Sequence, residues 1–221
     1  MNFAIIVAAG KSKRMKKNVN KILLPLLNKP VVYHTIKNFQ DCKAIDEIIV
    51  VTQKNDIKKI TDIKNQYNLN KIKKIVVGGK ERQDSVYNGL MSIKNAKNED
   101  VVVVHNGSSP LINENEITNC INAAKKHGAA VAGFQLKDTI KKIKNDFVEK
   151  TIDRTNVYQV QTPQAIQYGL FIEAFKNANK KKLSFTDDAS LIEAMGKKVN
   201  LVSCSYENIK ITTEDDLKIA E

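Results

Sequence analysis

Short apolar runs rich in Val and Ile alternate with longer segments of helical period along the whole chain. Such alternation is typical of strand-helix-strand units, whose strands pair in parallel. The pattern therefore predicts a Rossmann-like α/β fold, with a mostly parallel sheet flanked by helices. Strands are expected at 2–8, 47–52, 74–78, 101–105, 129–134 and 199–204, and helices at 30–41, 54–67, 82–95, 113–127, 167–178, 187–196 and 213–220.

The helix predicted at 82–95 illustrates the pattern. It places Val86, Leu90 and Ile93 on one face, which is the spacing that a surface helix needs to cover a sheet. No internal repeat and no low-complexity linker divides the chain, so we expect one domain over residues 1–221.

The segment 135–160 interrupts the alternation. Its Lys144-Asn145-Asp146 stretch lies between polar and β-branched runs, and this is a turn signal. We therefore predict an antiparallel β-hairpin arm that projects from the sheet. Because an exposed arm leaves strand edges unpaired, dimerisation through residues 135–160 is a reasonable hypothesis.

Composition narrows the class of protein. No apolar run approaches the roughly 20 residues that a membrane span needs, and the N-terminal "MNFAIIVAAG" lacks the basic stretch of a signal peptide. Cys42, Cys120 and Cys204 are odd in number and widely spaced, which argues against a disulfide framework and against a zinc site. We expect a cytoplasmic protein.

The net charge of +12, from 36 basic and 24 acidic residues, raises the possibility of nucleic-acid binding. The excess is spread along the chain as Lys, with no helix of interleaved basic and aromatic residues, so we expect a solvated surface and no specific nucleic-acid partner. Only Arg14, Arg82 and Arg154 are arginines. Because a guanidinium can make two-pronged contacts with phosphate or carboxylate, these three are candidates for phosphate contact.

The first candidate site follows the first predicted strand. Ala8, Ala9 and Gly10 would let a nucleotide approach the backbone closely, and the basic loop after them offers Arg14 and Lys21 to a triphosphate. In open α/β sheets, ligands bind beyond the carboxyl ends of strands, where this loop is expected. The chain has neither the GxGxxG of dinucleotide-binding enzymes nor the GxxxxGK[ST] of P-loop enzymes.

Two further stretches follow predicted strands. Gly78-Gly79 precedes a helix with Ser85 in its first turn, although the same residues also suit an ordinary strand-to-helix turn. His105 ends a buried strand before the turn signal Asn106-Gly107. A histidine in that place is more often packed and hydrogen-bonded than catalytic.

Seven short motifs occur in a fixed order. They are "AAGKSKRM" followed by Lys21, "GGKERQDSV", "KDT" at 137–139, "DR" at 153–154, "QTPQ" at 161–164, "TDDAS" at 186–190 and "NIKIT" at 208–212. Together they resemble the cytidylyltransferases of isoprenoid precursor synthesis, which make cytidine diphosphate methylerythritol from CTP and methylerythritol 4-phosphate. A related branch activates ribitol 5-phosphate.

The resemblance implies roles for individual residues on the nucleotide side. The backbone at Ala8, Ala9 and Gly10, the double glycine Gly78-Gly79 and the Ser85 hydroxyl would hold the cytosine, and Arg82 lies within the same motif. Arg14, Lys21 and Lys210 would neutralise the phosphates and carry catalysis. A divalent cation such as Mg²⁺, held mainly by substrate phosphates and not by a dedicated protein site, would assist them.

The resemblance also implies an acceptor pocket, lined by Asn106, Thr162 and Thr186. Thr139 and Arg154 lie on the arm, which in this family crosses to the partner subunit of a homodimer and contacts the acceptor's phosphate. No general base is expected, because a phosphate monoester is already ionised near neutral pH.

The chain departs from the family at one motif. The usual His-Asp-Ala-Ala-Arg-Pro is His105-Asn106-Gly107-Ser108-Ser109-Pro110 here, so Asn106 and Ser109 replace an acid and a cation. Asn106 brings no negative charge to a Mg²⁺ ion. Three possibilities follow: a methylerythritol enzyme with a rearranged pocket, a transferase for another polyol phosphate such as ribitol 5-phosphate, or a CTP-binding protein that has lost turnover.

Overall fold

The structure is a computed structural model that describes residues 1–10 and 20–221. Its strands, in chain order, are β1 (Asn2–Ala8), β2 (Pro25–Leu26), β3 (Lys29–Pro30), β4 (Glu47–Thr52), β5 (Ile72–Val77), β6 (Val101–Asn106), β7 (Ala129–Gln135), β8 (Ile140–Lys144), β9 (Phe147–Ile152), β10 (Tyr158–Gln167) and β11 (Asn200–Ser203). Its α-helices are α1 (Val31–Asp41), α2 (Ile57–Gln66), α3 (Arg82–Ser92), α4 (Glu114–His127), α5 (Tyr168–Lys181), α6 (Ala189–Glu193) and α7 (Glu214–Ala220).

Seven of the described strands form the main sheet, in the spatial order β11-β7-β10-β6-β1-β4-β5. β1 pairs in parallel with β4 and β6, β4 with β5, and β11 with β7. β10 runs antiparallel to both of its neighbours. The predicted α/β class with a mostly parallel sheet is therefore confirmed, and the parallel strands β1, β4, β5 and β6 end at one edge.

The sequence pattern missed β10 in the main sheet, and it missed the two-residue strands β2 and β3. Part of β10 lies in the segment assigned to the arm, and the rest begins with the polar "QTPQ", whose Pro163 is untypical of a central strand. The structure accommodates that proline at a register shift between Val160 and Gln164. This polar stretch lies beside the end of β6, at the edge of the sheet where the parallel strands end.

The hairpin arm is confirmed, but it is shorter than predicted. β8 and β9 pair antiparallel around Asn145 and Asp146, whose φ angles of 50° and 67° are those of a two-residue hairpin turn. The ends of the predicted segment belong to the main sheet instead, since Tyr158 pairs with Gln135.

Apolar side chains cover both faces of the sheet, as its alternating strands require. On one face α1, α2 and α4 pack over Ala4, Ile6 and Val103. On the other face α3, α5 and α6 pack over Phe3, Ile5 and Val104. The predicted face of α3 is confirmed, because Val86, Leu90 and Ile93 are all buried there.

A third, smaller apolar cluster joins the C-terminal helix to the β2–β3 hairpin. Leu26, Val31, Ile211 and Ala220 are its buried members. Through Ile211, the cluster packs the loop that carries the "NIKIT" motif, which precedes α7, against the rest of the fold. Among the helices that the structure describes, none combines the length and the apolar character needed to cross a bilayer.

Candidate active site

Two adjoining cavities open at the edge where the parallel strands end. The first, of about 440 Å³, is lined by residues after β1, by the double-glycine loop and by the segments at 106–108 and 210–212. The second, of about 880 Å³, is lined by the 159–164 stretch of β10, by Thr186 and Asp187 and by the segment 206–216. Arg82, Asn106, Lys210 and Thr212 line both cavities and mark the border between them.

Lysines from distant parts of the chain meet in the first cavity. Lys21 follows the loop after β1, and its Nζ donates a hydrogen bond to the Ile211 carbonyl at 2.6 Å. Lys210 is exposed and lines both cavities. The backbone N–H of Ile211 donates to the Ser108 carbonyl at 2.8 Å, which fixes this segment to the end of β6. The structure thus brings Lys21 and Lys210 together as predicted, whereas Arg14 lies outside the described residues.

The loop after β1 and the double glycine form one wall. Ala8, Ala9, Gly10 and Gly79 line the first cavity. Gly78 lies behind them, because a Cβ on it would come within 2.4 Å of the Ala9 Cβ. By contrast, a Cβ on Gly10 would meet no described atom within 4 Å. Gly78 is therefore required by the close approach of the two loops, and Gly79 by the Asp84 side chain, whose Cβ would lie 2.2 Å from a Cβ at that position.

Ser85 lines the first cavity from α3 and also shapes the glycine loop. Its hydroxyl accepts a hydrogen bond from the Gly79 N–H at 3.1 Å and donates one to the Glu81 carbonyl at 3.0 Å. Glu81 and Asp84 form a capping box at the start of α3. The turn expected at a strand-to-helix connection is thus present, and it lies against the cavity.

Arg82 is held by the carboxylate of Asp188, a partner that the sequence alone did not predict. Its Nη1 and Nη2 donate to the two carboxylate oxygens of Asp188 at 3.1 and 2.7 Å. Burial of the guanidinium works against its charge, but attraction to Asp188 outweighs this and keeps the pKa of Arg82 above its ordinary value. The fork predicted for phosphate contact is thus occupied by a carboxylate, which is the other partner that its geometry suits.

Asn106 and Thr162 connect β6 to β10 at the border. The backbone N–H and the side-chain amide of Asn106 both donate to the Thr162 hydroxyl, at 3.3 and 3.2 Å. Ser109 lines the second cavity, and Ser108 the first. Asn106 and Ser109, which stand in place of the family's acid and cation, thus both face the cavities.

Of the predicted acceptor residues, the structure places Asn106, Thr162 and Thr186 in the second cavity. It does not bring Thr139 and Arg154 there within one chain. Both are exposed at the arm, and Arg154 Nη1 donates to the backbone carbonyls of Leu136, at 2.9 Å, and of Lys137.

Gln164 and Asn208 are two buried residues whose roles the sequence alone did not predict. The Gln164 side chain accepts hydrogen bonds from the Asp188 and Ala189 N–H groups and donates to Asp187. The Asn208 amide donates to Gln161 and to the Thr162 carbonyl. Both side chains are buried, and they hold residues that face the cavities. Hydrophobic periodicity does not predict buried polar residues of this kind. In the sequence, only their membership in the "QTPQ" and "NIKIT" motifs pointed to them.

His105 is a packed residue. It is fully enclosed, its Nε2 donates to the Ser109 carbonyl at 3.0 Å, and its ring lies 5.0 Å from that of Phe39. Burial lowers the pKa of His105 to about 4, the hydrogen bond to Ser109 opposes this, and the positive charge of Lys210 adds to it. The imidazole is therefore neutral at pH 7, and the interpretation of His105 as a packed, hydrogen-bonded residue is confirmed.

Comparisons with known proteins identify the class and the family. Fold and site together define a CTP-dependent nucleotidyltransferase. The chain belongs to the IspD family, 2-C-methyl-D-erythritol 4-phosphate cytidylyltransferase, whose profile matches residues 2–221.

Relatives with that enzyme name match over the full length. One from Clostridium acetobutylicum is 46% identical over 223 residues, covering 100% of this chain and 96% of its own. One from Clostridium botulinum (strain Langeland) is 44% identical over 222 residues with the same coverage. The crystal structure of the 4-diphosphocytidyl-2C-methyl-D-erythritol synthase of Anaerococcus prevotii superposes with a TM-score of 0.86 at 33% identity, covering 99% of this chain and 93% of that one. The Francisella tularensis cytidylyltransferase gives 0.83 at 32% identity, covering 99% and 97%.

The buried imidazole makes stability depend on pH. Between pH 6.5 and about 4 the unfolded chain binds a proton on His105 and the folded chain does not, so stability falls as the pH falls through that range. Urea denaturation should show that the loss between pH 7 and pH 5 is smaller by about 2 kcal/mol in His105→Gln than in the wild type. Exposed His127→Gln is the control, and equal losses in His105→Gln and the wild type would contradict the assignment.

Proposed function

We propose that the enzyme transfers CMP from CTP to 2-C-methyl-D-erythritol 4-phosphate, giving CDP-methylerythritol and pyrophosphate for isoprenoid precursor synthesis. The single observation that carries this proposal is the pair of adjoining cavities with a shared, cation-bearing border in a member of this family. The first cavity would take the nucleotide, and the second would take the polyol phosphate. Catalysis by such a site is mainly a matter of position and charge.

The first cavity suits a cytidine nucleotide. Ala8, Ala9 and Gly79 present backbone and little side chain, so a flat base can approach their polar groups closely. The Ser85 hydroxyl already uses its proton on Glu81 and still has acceptor capacity for a base amino group. The triphosphate would then extend towards Lys21, Lys210 and, from the basic loop, Arg14.

In the proposed reaction an acceptor phosphate oxygen attacks the α-phosphorus of CTP, and the bond from that phosphorus to the bridging oxygen of pyrophosphate breaks. The attacking oxygen is already ionised, so no residue has to remove a proton from it. Negative charge builds up at the reacting phosphorus. Lys21 is fixed for that charge by its bond to Ile211, and Lys210 lies at the border that the transferred group must cross.

We also propose that a Mg²⁺ ion takes part and is held mainly by the substrate phosphates. No cluster of three His, Cys, Asp or Glu suited to a metal occurs in residues 1–10 and 20–221. The carboxylates that line the cavities already accept hydrogen bonds: Glu81 in the capping box of α3, Asp187 from Gln164 and Ser190, and Asp216 from the N–H groups of Thr212 and Thr213. Asp188 is engaged with Arg82. Asn106, which lines both cavities, would supply a neutral amide oxygen. This donor set fits Mg²⁺, which keeps water and phosphate ligands and needs few from the protein. When bound, the ion would neutralise phosphate charge.

We propose further that the enzyme is a homodimer through the arm at 135–160, with Thr139 and Arg154 serving the acceptor phosphate of the partner subunit. Ile143, Phe147 and Val148 on the hairpin are 54%, 78% and 59% exposed. Grouped apolar side chains of this size commonly mark an interaction surface. A cytoplasmic location completes the proposal, and it is supported by the unpaired state of Cys42, Cys120 and Cys204.

The activity can be tested by pyrophosphate release from CTP with methylerythritol 4-phosphate and ribitol 5-phosphate as alternative acceptors. We expect turnover with the first, and a loss of a hundredfold or more in Lys21→Ala and Arg14→Ala, because each removes a cation from the phosphates. Lys197→Ala, whose side chain pairs with Glu173 away from both cavities, is the control. Wild-type rates in Lys21→Ala would refute the assignment, and a preference for ribitol 5-phosphate would refute the acceptor.

Metal dependence follows from the neutral donor set. Excess EDTA should abolish pyrophosphate release, and added Mg²⁺ should restore it. Asn106→Asp places a charged ligand beside the phosphates, so half-maximal activity should need less Mg²⁺ than in the wild type. Undiminished turnover in EDTA would show that no divalent ion is used.

The arm predicts the oligomeric state. Sedimentation at micromolar concentration should give a dimer, and Phe147→Asp should shift it to monomer, because a charge would be buried in the interface. Met91→Asp, at an exposed apolar position on α3, is the matched control. A monomeric wild type would rule out this interface.

A further inference from the structure

We propose that Asp188 is a positioning residue, which holds the Arg82 guanidinium at the border of the two cavities so that it can serve the phosphate passing from nucleotide to acceptor. This inference rests on the proposed function and extends it to a residue pair. Arg82 is then a catalytic residue in its own right, and Asp188 acts through it.

The geometry of the pair fixes the guanidinium in place. Both of its terminal nitrogens bond to Asp188, one to each carboxylate oxygen, so the planar group cannot rotate without losing a bond. The Asp188 side chain is 1% exposed, while that of Arg82 retains 25% exposure. The acid is thus enclosed in the protein, and the cation is presented at the surface of the cavities.

A second hydrogen-bonded layer fixes Asp188 itself. Gln164 Oε1 accepts from the N–H groups of Asp188 and Ala189, each at 2.8 Å, and Gln164 Nε2 donates to Asp187 at 3.1 Å. Gln164 lies on β10 two residues after Thr162, which bonds to Asn106. The same strand, β10, therefore forms a wall of the acceptor cavity through Thr162 and fixes the segment that holds Arg82 through Gln164.

The remaining donors of Arg82 are suited to a phosphate. A guanidinium has five N–H groups, and Asp188 takes two of them. Within the described part of the chain, no other side chain is hydrogen-bonded to Arg82. The carboxylate offsets much of the cationic charge, so Arg82 contributes oriented donors more than net charge. Donors fixed before the reaction stabilise developing charge without reorganisation.

The competing explanation is that the pair only ties α3 to the segment before α6. A tie of that kind would stabilise the fold and leave chemistry alone. It does not account for the position of Arg82, which lines the nucleotide cavity and the acceptor cavity at once. The two explanations can be distinguished by kinetics, because a structural tie would affect stability alone, whereas a positioning role would also affect kcat.

The test compares Asp188→Asn, Arg82→Lys, Arg82→Ala and the double variant Arg82→Ala with Asp188→Asn. We expect kcat to fall at least tenfold in Asp188→Asn, while the Kd for CTP changes less than threefold. In the Arg82→Ala background, Asp188→Asn should have no further effect on kcat, because its action passes through the guanidinium. Arg82→Lys keeps the positive charge but removes the two-pronged guanidinium, so its kcat should also fall at least tenfold.

A matched control is available at the far end of β6. Asp100 is also buried and pairs with the N-terminal amine, so Asp100→Asn should lower the melting temperature without changing kcat. If Asp188→Asn is too unstable to assay, the kcat of Arg82→Lys tests the inference, because Asp188 is unchanged in that variant. A wild type that makes no product would overturn the proposed function and this inference together. An active wild type with kcat within twofold in Asp188→Asn or Arg82→Lys, or with an undiminished Asp188→Asn effect in the Arg82→Ala background, would overturn the inference alone.

Discussion

Parallel pairing of β1 with β4 and β6 is the constraint on which the rest of the structure depends. Strands that run in one direction end at one edge, so the loops after Ala8, Val77 and Asn106 converge without any contact having to draw them together. The apolar clusters on both faces of the sheet make that arrangement rigid. The polar groups that line the two cavities thus lie just beyond the ends of strands whose own packing is apolar.

Much of the fold follows from periodicity, because buried parallel strands are recognisable as runs of Val and Ile. The strand β10 does not fit that rule, since "QTPQ" is polar and contains a proline. Contacts between distant residues are beyond the reach of any local pattern. Lys21 and Ile211 are 190 positions apart, and Arg82 and Asp188 are 106 positions apart. Only the ordered motifs indicated that such residues belong to one site, and they gave no indication that the partner of Arg82 would be an acid.

The departures from the family at Asn106 and Ser109 remove one negative and one positive charge together. In the structure both positions face the cavities, and the amide of Asn106 is used to join β6 to β10. The loss of charge is thus balanced, and the Asn106 amide is hydrogen-bonded to the Thr162 hydroxyl on the neighbouring strand. This arrangement is compatible with the methylerythritol enzyme to which the family assigns the chain.

The arm between β7 and β10 is joined directly to the wall of the second cavity. These strands are adjacent in the sheet, and the chain leaves along one and returns along the other. The returning strand carries Thr162 and Gln164 a few residues after it re-enters the sheet. A displacement of the hairpin is therefore transmitted through the continuous backbone of β10 to Thr162 and Gln164 in the wall of the second cavity.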